Sequence, residues 1–301
     1  MTYQEFKTNL IQLLSAKLGA SYRVALQDII KNNDTHLDGL TILSENSNIS
    51  PTIYLNYYYN QYLSGKSISC IEEDILLSYH QHAKTQNIDI TFFTDFKRAK
   101  ERIIFKLVNY ERNRELLADV PHIRYLDLAI IFNCFVNTSQ NNYATILIHN
   151  HHLSFWQVST EELYFFAMQN TPFLLPPHMQ NISEIFTDIF HIESEELINE
   201  AFQNISMYIL SNASKLHGAG CILYENFLAK TAERLETDFY LIPSSIHEML
   251  IIPAECTSLE ELSFIIQEIN ATQLSREEIL SDHAYFYSRE TGQITMSCEI
   301  N

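Results

Sequence analysis

The chain has 301 residues, of which 46% are hydrophobic and 19% are charged. This balance is typical of a folded protein with a substantial core and excludes an intrinsically disordered chain. Lys and Arg together number 19 against 37 Asp and Glu, so the formal net charge is −18. Because nucleic acids and anionic membranes bind basic surfaces, this charge argues against both as direct partners and permits a basic protein partner.

Three features predict a soluble cytoplasmic protein. The N-terminal residues lack the basic and then apolar order of a signal peptide. No apolar run reaches the roughly 18–20 residues that cross a bilayer. The five cysteines are widely spaced, odd in number and never arranged as CxxC, which is typical of free thiols in a reducing compartment. They are Cys70, Cys134, Cys221, Cys256 and Cys298.

The first part of the chain predicts a helix packed on a small antiparallel sheet, followed by further helices. Apolar residues at helical spacing predict the first helix over 3–18, and alternating apolar residues predict three strands near 22–26, 40–42 and 53–55. Helices are expected over 55–63 and 68–84, and the tyrosines between 54 and 62 are expected to pack on the sheet. The segment 93–117 predicts one long helix with Thr94 or Asp95 as its N-cap.

The middle of the chain predicts a hairpin and a helix. Two apolar runs, 127–136 and 143–149, flank the polar sequence NTSQNN and predict antiparallel strands joined by a loop of about six residues. Ser159 and Glu162 have the spacing of a capping box, so a helix is expected over 159–170. The proline-containing stretch after it breaks the pattern, and 181–203 has a weaker helical period. A soft domain boundary is therefore expected between 171 and 205.

The last hundred residues predict the order β-α-β-β-α-β with one further strand. Strands are expected at 207–210, 239–242, 249–252, 284–287 and 294–298, with helices over 226–235 and 258–270. A ferredoxin-like sandwich is the natural packing for this order. The fold class is therefore α+β, with an N-terminal unit (1–120), a central hairpin-plus-helices unit (121–203) and a C-terminal unit (204–301).

Six segments spread over nearly the whole chain resemble an uncharacterised bacterial family, a domain of unknown function. They include LDGLTI within 37–65, VPHIRYLDLAIIF at 120–132 and DFYLIPSSIHEMLIIP at 238–253; the others are 152–171, 207–224 and 280–294. A weaker similarity around Trp156 extends to the YtpQ-like uncharacterised proteins. The resemblance implies a bacterial cytosolic protein and supplies no activity. Where family members tend to carry TNEHL, this chain has HNHH at 149–152.

A cluster of serine, histidine and aspartate residues in the last unit is the first candidate site. Ser244, Ser245 and His247 lie between two predicted strands, and Asp282 and His283 precede a strand expected in the same sheet. Serine attack needs a base and an orienting carboxylate, and these residue types supply both. However, no Gly-x-Ser-x-Gly elbow surrounds either serine. Serine and histidine near a turn more often bond the backbone.

A second group of residues suggests ligand binding. Asn212, Ser214 and Lys215 follow the first predicted strand of the last unit, and Gly218 and Gly220 precede a helical stretch. Backbone amides around such glycines can hold an anion. Tight packing before a helix explains the two glycines equally well, since they fall short of a complete phosphate-binding motif.

Three histidines, His149, His151 and His152, follow a predicted strand and raise the question of a metal. Imidazoles bind Zn²⁺ with a further ligand such as Glu161 or Glu162. Histidines adjacent in sequence rarely converge on one ion, and the chain has no HExxH motif. We therefore expect surface histidines, with neither a metal nor a cofactor.

These observations favour a non-catalytic cytosolic module over an enzyme. The module is expected to bind a protein or a small ligand through residues 212–215, 244–247 and 281–283. One alternative is a hydrolase that uses Ser244 or Ser245 with His247 and Asp282. Another is an acidic decoy that occupies a nucleic-acid-binding protein, since the charge of −18 permits mimicry of a polyanion.

Overall fold

A computed structural model describes residues 1–45, 50–82, 91–139, 142–183, 207–257 and 259–296. The chain forms two compact units, residues 1–91 and 92–301. Each unit combines helices with antiparallel sheet, which confirms the α+β class. The three-part division into 1–120, 121–203 and 204–301 stays a prediction, and strand pairs cross both of its boundaries.

The first unit is a three-stranded antiparallel sheet covered by helices. Its elements in chain order are α1 (Tyr3–Leu18), β1 (Tyr22–Lys31), β2 (Thr35–Ser44), β3 (Thr52–Tyr54), α2 (Leu55–Leu63) and α3 (Ile68–His82). The strand order is β1-β2-β3. The predicted helices and strands of this part are confirmed within the described residues.

Local chemistry explains why α1 begins and ends where it does. Thr2 and Glu5 form a capping box at its start, and Gly19 follows its end with a positive φ of 77°. Phe6, Leu10 and Leu14 are fully buried against the sheet and the other helices. Tyr58, Tyr59 and Tyr62 of α2 pack on the same core, as predicted, and Tyr57 is exposed.

The second unit begins with a four-stranded antiparallel sheet and its helices. The elements are α4 (Phe96–Ala99), β4 (Ile103–Asn109), α5 (Arg114–Asp119), β5 (His122–Tyr125), β6 (Leu128–Ser139), β7 (Asn142–Leu147), α6 (Asn150–Trp156) and α7 (Thr160–Leu174). Strand β6 pairs with β4 along one edge and with β5 and β7 along the other.

The prediction of one long helix over 93–117 is wrong. Asp95 is the N-cap, since its Oδ1 accepts from the Lys97 N–H at 3.0 Å, but α4 ends at Ala99. Residues 103–109 form β4 instead, buried on both faces apart from a half-buried Lys106 and paired with β6. When a segment is buried on both faces, its apolar residues show neither the helical nor the strand period, so the sequence pattern does not distinguish the two structures. Here the segment forms a strand because it pairs with β6.

The predicted hairpin is confirmed, with a shorter connection than expected. Ser139 pairs with Asn142, so both strands extend into the sequence NTSQNN. Helix α6 was not predicted, and neither was β5. Helix α7 starts at its capping box as expected and continues through Pro172 to Leu174. Its last turn is held by Thr171, whose Oγ1 accepts from the Phe105 N–H at 3.1 Å.

A six-stranded antiparallel sheet completes the second unit. Its elements are β8 (Pro177–Asn181), β9 (Tyr208–Asn212), α8 (Phe227–Leu235), β10 (Phe239–Ser245), β11 (Glu248–Pro253), α9 (Leu259–Thr272), β12 (Tyr285–Tyr287) and β13 (Ile294–Met296). The strand order is β13-β12-β10-β11-β9-β8. Helix α9 packs on this sheet through Leu262 and Ile266, which contact Ile242 and Ile252.

The predicted β-α-β-β-α-β order is confirmed, and β9 and β10 run in the same direction with β11 between them. The sheet departs from the ferredoxin-like arrangement in that the second strand, β10, and not the first, pairs with β12. An extra edge strand, β8, comes from 177–181, where the sequence predicted a break. The helical period predicted over 181–203 falls mostly on 184–206, outside the described residues.

Asp127 joins the two sheets of the second unit. Its carboxylate accepts from the Ser281 hydroxyl at 2.6 Å and from the Tyr285 hydroxyl at 2.8 Å. Nearby, the Asn109 Nδ2 donates to the Leu280 carbonyl at 3.1 Å. These bonds place the segment before β12 against the turn between β5 and β6.

The structure also describes the features behind the membrane-span and cysteine predictions. Within the described part of the chain, no helix combines the length and apolarity needed to cross a bilayer. The four cysteines in the described ranges are free thiols: Cys70 and Cys256 are exposed, and Cys134 and Cys221 are buried. Cys298 lies outside the described residues.

Candidate functional site

The two serines of the predicted cluster stabilise the β10–β11 turn. The Ser244 hydroxyl donates to Glu248 Oε1 at 3.2 Å. The Ser245 hydroxyl is buried and accepts from the His247 backbone N–H at 3.0 Å. Both hydroxyls are therefore engaged within four residues along the chain, which is the local bonding that strand-end serines favour.

The His247 ring is bonded to the backbone on the neighbouring segment. Its Nδ1 accepts from the His217 backbone N–H at 3.2 Å, so Nδ1 is unprotonated in this arrangement. The two imidazoles stack with ring centroids 5.6 Å apart. Burial lowers the pKa of His247, and burial together with Lys106 lowers the pKa of His217 well below its usual value. Both rings are therefore neutral near pH 7.

Asp282 and His283 have different surroundings from the serines. Asp282 forms an ion pair with Arg112 and accepts from Asn270 Nδ2 at 2.8 Å. His283 is exposed, and its backbone N–H donates to the Ser281 hydroxyl at 2.9 Å. Among the described residues, no hydrogen bonds link a serine hydroxyl, an imidazole and Asp282 in series. Catalysis by this group stays a prediction for an activity assay.

The residues predicted to bind a ligand form a tightly bonded loop. Asn212 is buried; its Nδ2 donates to the Leu216 carbonyl at 2.7 Å, and its Oδ1 accepts from the Ser214 and Leu216 N–H groups, each at 3.1 Å. Lys215 is exposed and has a positive φ of 50°. The Asn212 side chain therefore orders its own loop.

Gly218 and Gly220 begin a short 3-10 helix, Gly218–Leu223, and both are buried. A Cβ at Gly218 would overlap with the Ser211 Oγ and the His247 carbonyl oxygen. A Cβ at Gly220 would lie 3.0 Å from Phe105 Cε2. These contacts support close packing as the reason for the glycines, because neighbouring protein atoms already occupy the space beside them.

The three histidines lie beside one another at the start of α6. Ring centroids of His151 and His152 are 3.9 Å apart, and His149 Nδ1 lies 2.7 Å from Asp119 Oδ2. His152 Nδ1 accepts from the His149 N–H at 2.9 Å. Burial, with the neighbouring histidines, lowers the pKa of His152 to about 4. No group of three or more His, Cys, Asp or Glu side chains in the described ranges is arranged to hold a metal ion.

The two glutamates considered as further metal ligands lie in the first turn of α7. Glu162 Oε2 accepts from the Ser159 N–H at 2.9 Å, which completes the capping box predicted from the sequence. Backbone and Ser159 hydrogen bonds lower the pKa of Glu161. The glutamates thus stabilise the helix N-terminus.

A cleft that was not predicted lies between α7 and the segment that leads into α8. Its volume is about 820 Å³. From α7 it is lined by Tyr164, Phe165, Met168 and Pro172, and from the opposite side by Tyr224 and Phe227. A concave, aromatic-lined space of this size is the usual form of a small-molecule site.

Packing on the sheet positions α7 so that one helix face lines this cleft. Leu163, Ala167 and Thr171 are buried on the inner side of the helix. The opposite wall is tied to the end of α7, because the Tyr224 hydroxyl donates to the Leu175 carbonyl at 2.9 Å. This buried bond links the two walls of the cleft.

A sequence signal for the cleft exists in α7. The helix carries apolar residues on its outer face as well as its inner one, and two phenylalanines remain exposed, Phe165 at 58% and Phe173 at 84%. A surface helix normally presents polar residues to water, so an apolar outer face indicates a binding surface. No pattern in the sequence marks the other cleft residues Tyr164, Pro172 and Tyr224 as part of a binding surface.

The structure is that of an α+β protein of two units, with an apolar cleft in the second. Residues 3–289 match the model of a family of unknown function (DUF5688), and the chain belongs to this family. The resemblance predicted from the sequence is thereby confirmed, while the similarity to YtpQ-like proteins and the bacterial origin stay predictions. Neither the curated proteins nor the solved structures gave a match to the chain.

Proposed function

We propose that the protein is a non-catalytic cytoplasmic module that binds a ligand in the cleft between α7 and α8. The observation that carries the proposal is the volume of about 820 Å³ with its aromatic walls. Ligand pockets typically enclose about 300–1,000 Å³ and have mainly apolar walls. The cleft therefore has the size and chemistry of a small-molecule site.

The cleft replaces the polar surface predicted from the sequence as the proposed binding site. Ser244, Ser245, Asn212 and Asp282 bond to their own turns or neighbours, so a ligand there would have to break bonds already made. In the cleft, exposed apolar side chains gain about 25 cal/mol for each Å² that a ligand covers. Ligand binding is thus favoured at the cleft and opposed at the polar turns.

Fluorescence of a neutral apolar dye, N-phenyl-1-naphthylamine, tests the proposal. We expect the dye to bind the wild-type protein and Phe165→Ala to weaken binding by about tenfold, since one of the two aromatic side chains that α7 contributes to the cleft is removed. Phe173→Ala is the matched control, because Phe173 belongs to the same helix and is even more exposed but does not line the cleft. The proposal fails if the dye does not bind, or if both variants weaken binding equally.

A further inference from the structure

A second pocket in the second unit has a different chemistry from the cleft. Its volume is about 620 Å³, and its lining residues come from β5, from the segment that leads into α8 and from the β12–β13 hairpin. The polar side chains that line it are Tyr125, Tyr224, Asn226, Tyr287 and Gln293. All five are of uncharged types, and the other described residues that line the pocket are apolar or glycine.

The hydroxyl of Tyr287 is the observation that points most directly to a ligand. Tyr287 is only 4% exposed, and its ring stacks on Phe239 with centroids 4.9 Å apart. A Cβ at Gly292, which also lines the pocket, would lie 3.8 Å from the Tyr287 hydroxyl oxygen, so the hydroxyl lies at the pocket. Among the described residues, this hydroxyl has no hydrogen-bond partner. Because the polar atoms of buried side chains normally have one, the hydroxyl is available to a ligand.

Three other side chains supply hydrogen-bonding groups of the same uncharged kind. Within the described part of the chain, the Tyr125 hydroxyl and the side-chain amides of Asn226 and Gln293 also make no hydrogen bond. Burial raises the pKa of Tyr125 to about 12 and raises that of Tyr287, so both hydroxyls keep their protons at neutral pH. Tyrosine hydroxyls and side-chain amides both donate and accept hydrogen bonds. The pocket therefore offers donors and acceptors without a charge.

These features favour an uncharged ligand that carries several hydroxyl groups. An ionic group that enters a space without a counter-charge loses hydration and gains no ion pair. Ligand hydroxyls, in contrast, donate and accept as the pocket side chains do. The faces of aromatic rings carry negative charge density, which attracts the C–H groups of a sugar ring. Exposed Glu233 acts on Tyr287 from outside the pocket, and its negative charge further disfavours an anion.

We propose that this pocket binds an uncharged carbohydrate, with ligand hydroxyls bonded to Tyr125, Tyr287 and the two amides and with the sugar ring against Tyr224. The site is additional to the cleft, and the inference does not depend on what the cleft binds. Tyr224 lines both spaces, so its ring separates an apolar site from a polar one.

Saturation-transfer difference NMR with neutral sugars tests the proposal. The probes are the methyl glycosides of glucose, galactose and mannose, each titrated at millimolar concentration. We expect at least one to bind the wild-type protein and Tyr287→Phe to weaken that binding about fivefold, the effect of losing one hydrogen bond. Tyr240→Phe is the matched control, because it removes a tyrosine hydroxyl from the neighbouring strand β10, outside the pocket. Gln293→Ala, at an exposed position, provides a second test should Tyr287→Phe reduce stability.

Charged counterparts of the sugar that binds test the ligand class. The corresponding uronate and the corresponding amino sugar, in its protonated form, should both bind more weakly than the neutral sugar. Tighter binding of either one would overturn the inference. It would also be overturned if none of the neutral sugars binds, or if neither Tyr287→Phe nor Gln293→Ala weakens binding more than Tyr240→Phe does. Phe165→Ala should leave sugar binding unchanged, so a failure here leaves dye binding in the cleft, and with it the proposed function, intact.

Discussion

Replacing Asp127 with alanine should destabilise the second unit by about 3 kcal/mol. The carboxylate accepts two short hydrogen bonds, from the Ser281 and Tyr285 hydroxyls. Both donors are fully buried, and burial raises the pKa of Tyr285 well above its usual value, so its hydroxyl keeps the proton. Each buried donor left without an acceptor costs about 1–3 kcal/mol. The loss of the acceptor for two such donors, reduced because neighbouring groups relax in part, gives the expected loss of about 3 kcal/mol.

Tyr285→Phe provides the matched comparison because it removes one donor and leaves Asp127 bonded to Ser281. We expect this variant to lower the free energy of unfolding by about 1.5 kcal/mol, the lower end of the range for a hydrogen bond to a charged group. The double variant should lose about 3 kcal/mol, less than the sum of the single changes, because one bond is removed by both.

Urea unfolding followed by tryptophan fluorescence measures these free energies in the second unit alone. The chain contains one tryptophan, Trp156, which is buried, and its Nε1 donates to the Phe93 carbonyl at 3.0 Å. A loss below about 1 kcal/mol for Asp127→Ala, or strict additivity with Tyr285→Phe, would refute the role given to this carboxylate.

Three further changes test other parts of the second unit. The pKa of His152 is lowered from 6.5 to about 4, so the unfolded chain binds a proton at a higher pH than the folded protein does. As the pH falls from 6.5 to 4, we therefore expect the free energy of unfolding to fall by about 1 kcal/mol, a small value because the ring is partly exposed. His152→Asn should remove this pH dependence. Ser245→Ala should cost about 1 kcal/mol of stability and leave dye binding unchanged. Gly220→Ala should weaken dye binding several-fold, because its Cβ presses on Phe105, whose ring packs edge-on against Tyr224.

Each of these changes has a control that can contradict it. A pH profile that His152→Asn leaves unchanged would assign the titration to another group. Loss of a hydrolytic activity in Ser245→Ala, with unfolding free energy unchanged, would support the hydrolase alternative over the structural role. Phe105→Leu should restore dye binding in Gly220→Ala by making room for the added methyl group, and a failure to do so would exclude this contact as the cause.

Sequence reasoning succeeded where the signal lies within a few residues along the chain. The capping box at Ser159 predicted the start of α7, since its partners are three residues apart, and the helical spacing of apolar residues over 3–18 predicted α1. It failed at β4, whose neighbours in the sheet are residues 128–134. An apolar run next to charged residues suits a helix or a buried strand, so only the distant partner decides.

The candidate site was harder to predict because residue types do not reveal their own hydrogen bonds. Ser245, His247 and Asp282 have the chemistry of a catalytic group, yet their bonds run to a turn, a backbone amide and Arg112. The cleft depends on how α7 packs, so its residues converge only after folding. The exposed apolar face of α7 was the one feature that pointed to it.

The glycine-containing segment noticed in the sequence contributes to the cleft through packing. Close approach at Gly218 and Gly220 places the 3-10 helix against β9 and Phe105. This helix leads directly into Tyr224, whose hydroxyl is bonded to Leu175 at the end of α7. Two glycines that suggested an anion loop thus set the position of one wall of an apolar site. The hydrogen-bonded turns at Asn212 and Ser245 stabilise the fold, and we expect a ligand to bind in the cleft, where apolar side chains remain exposed.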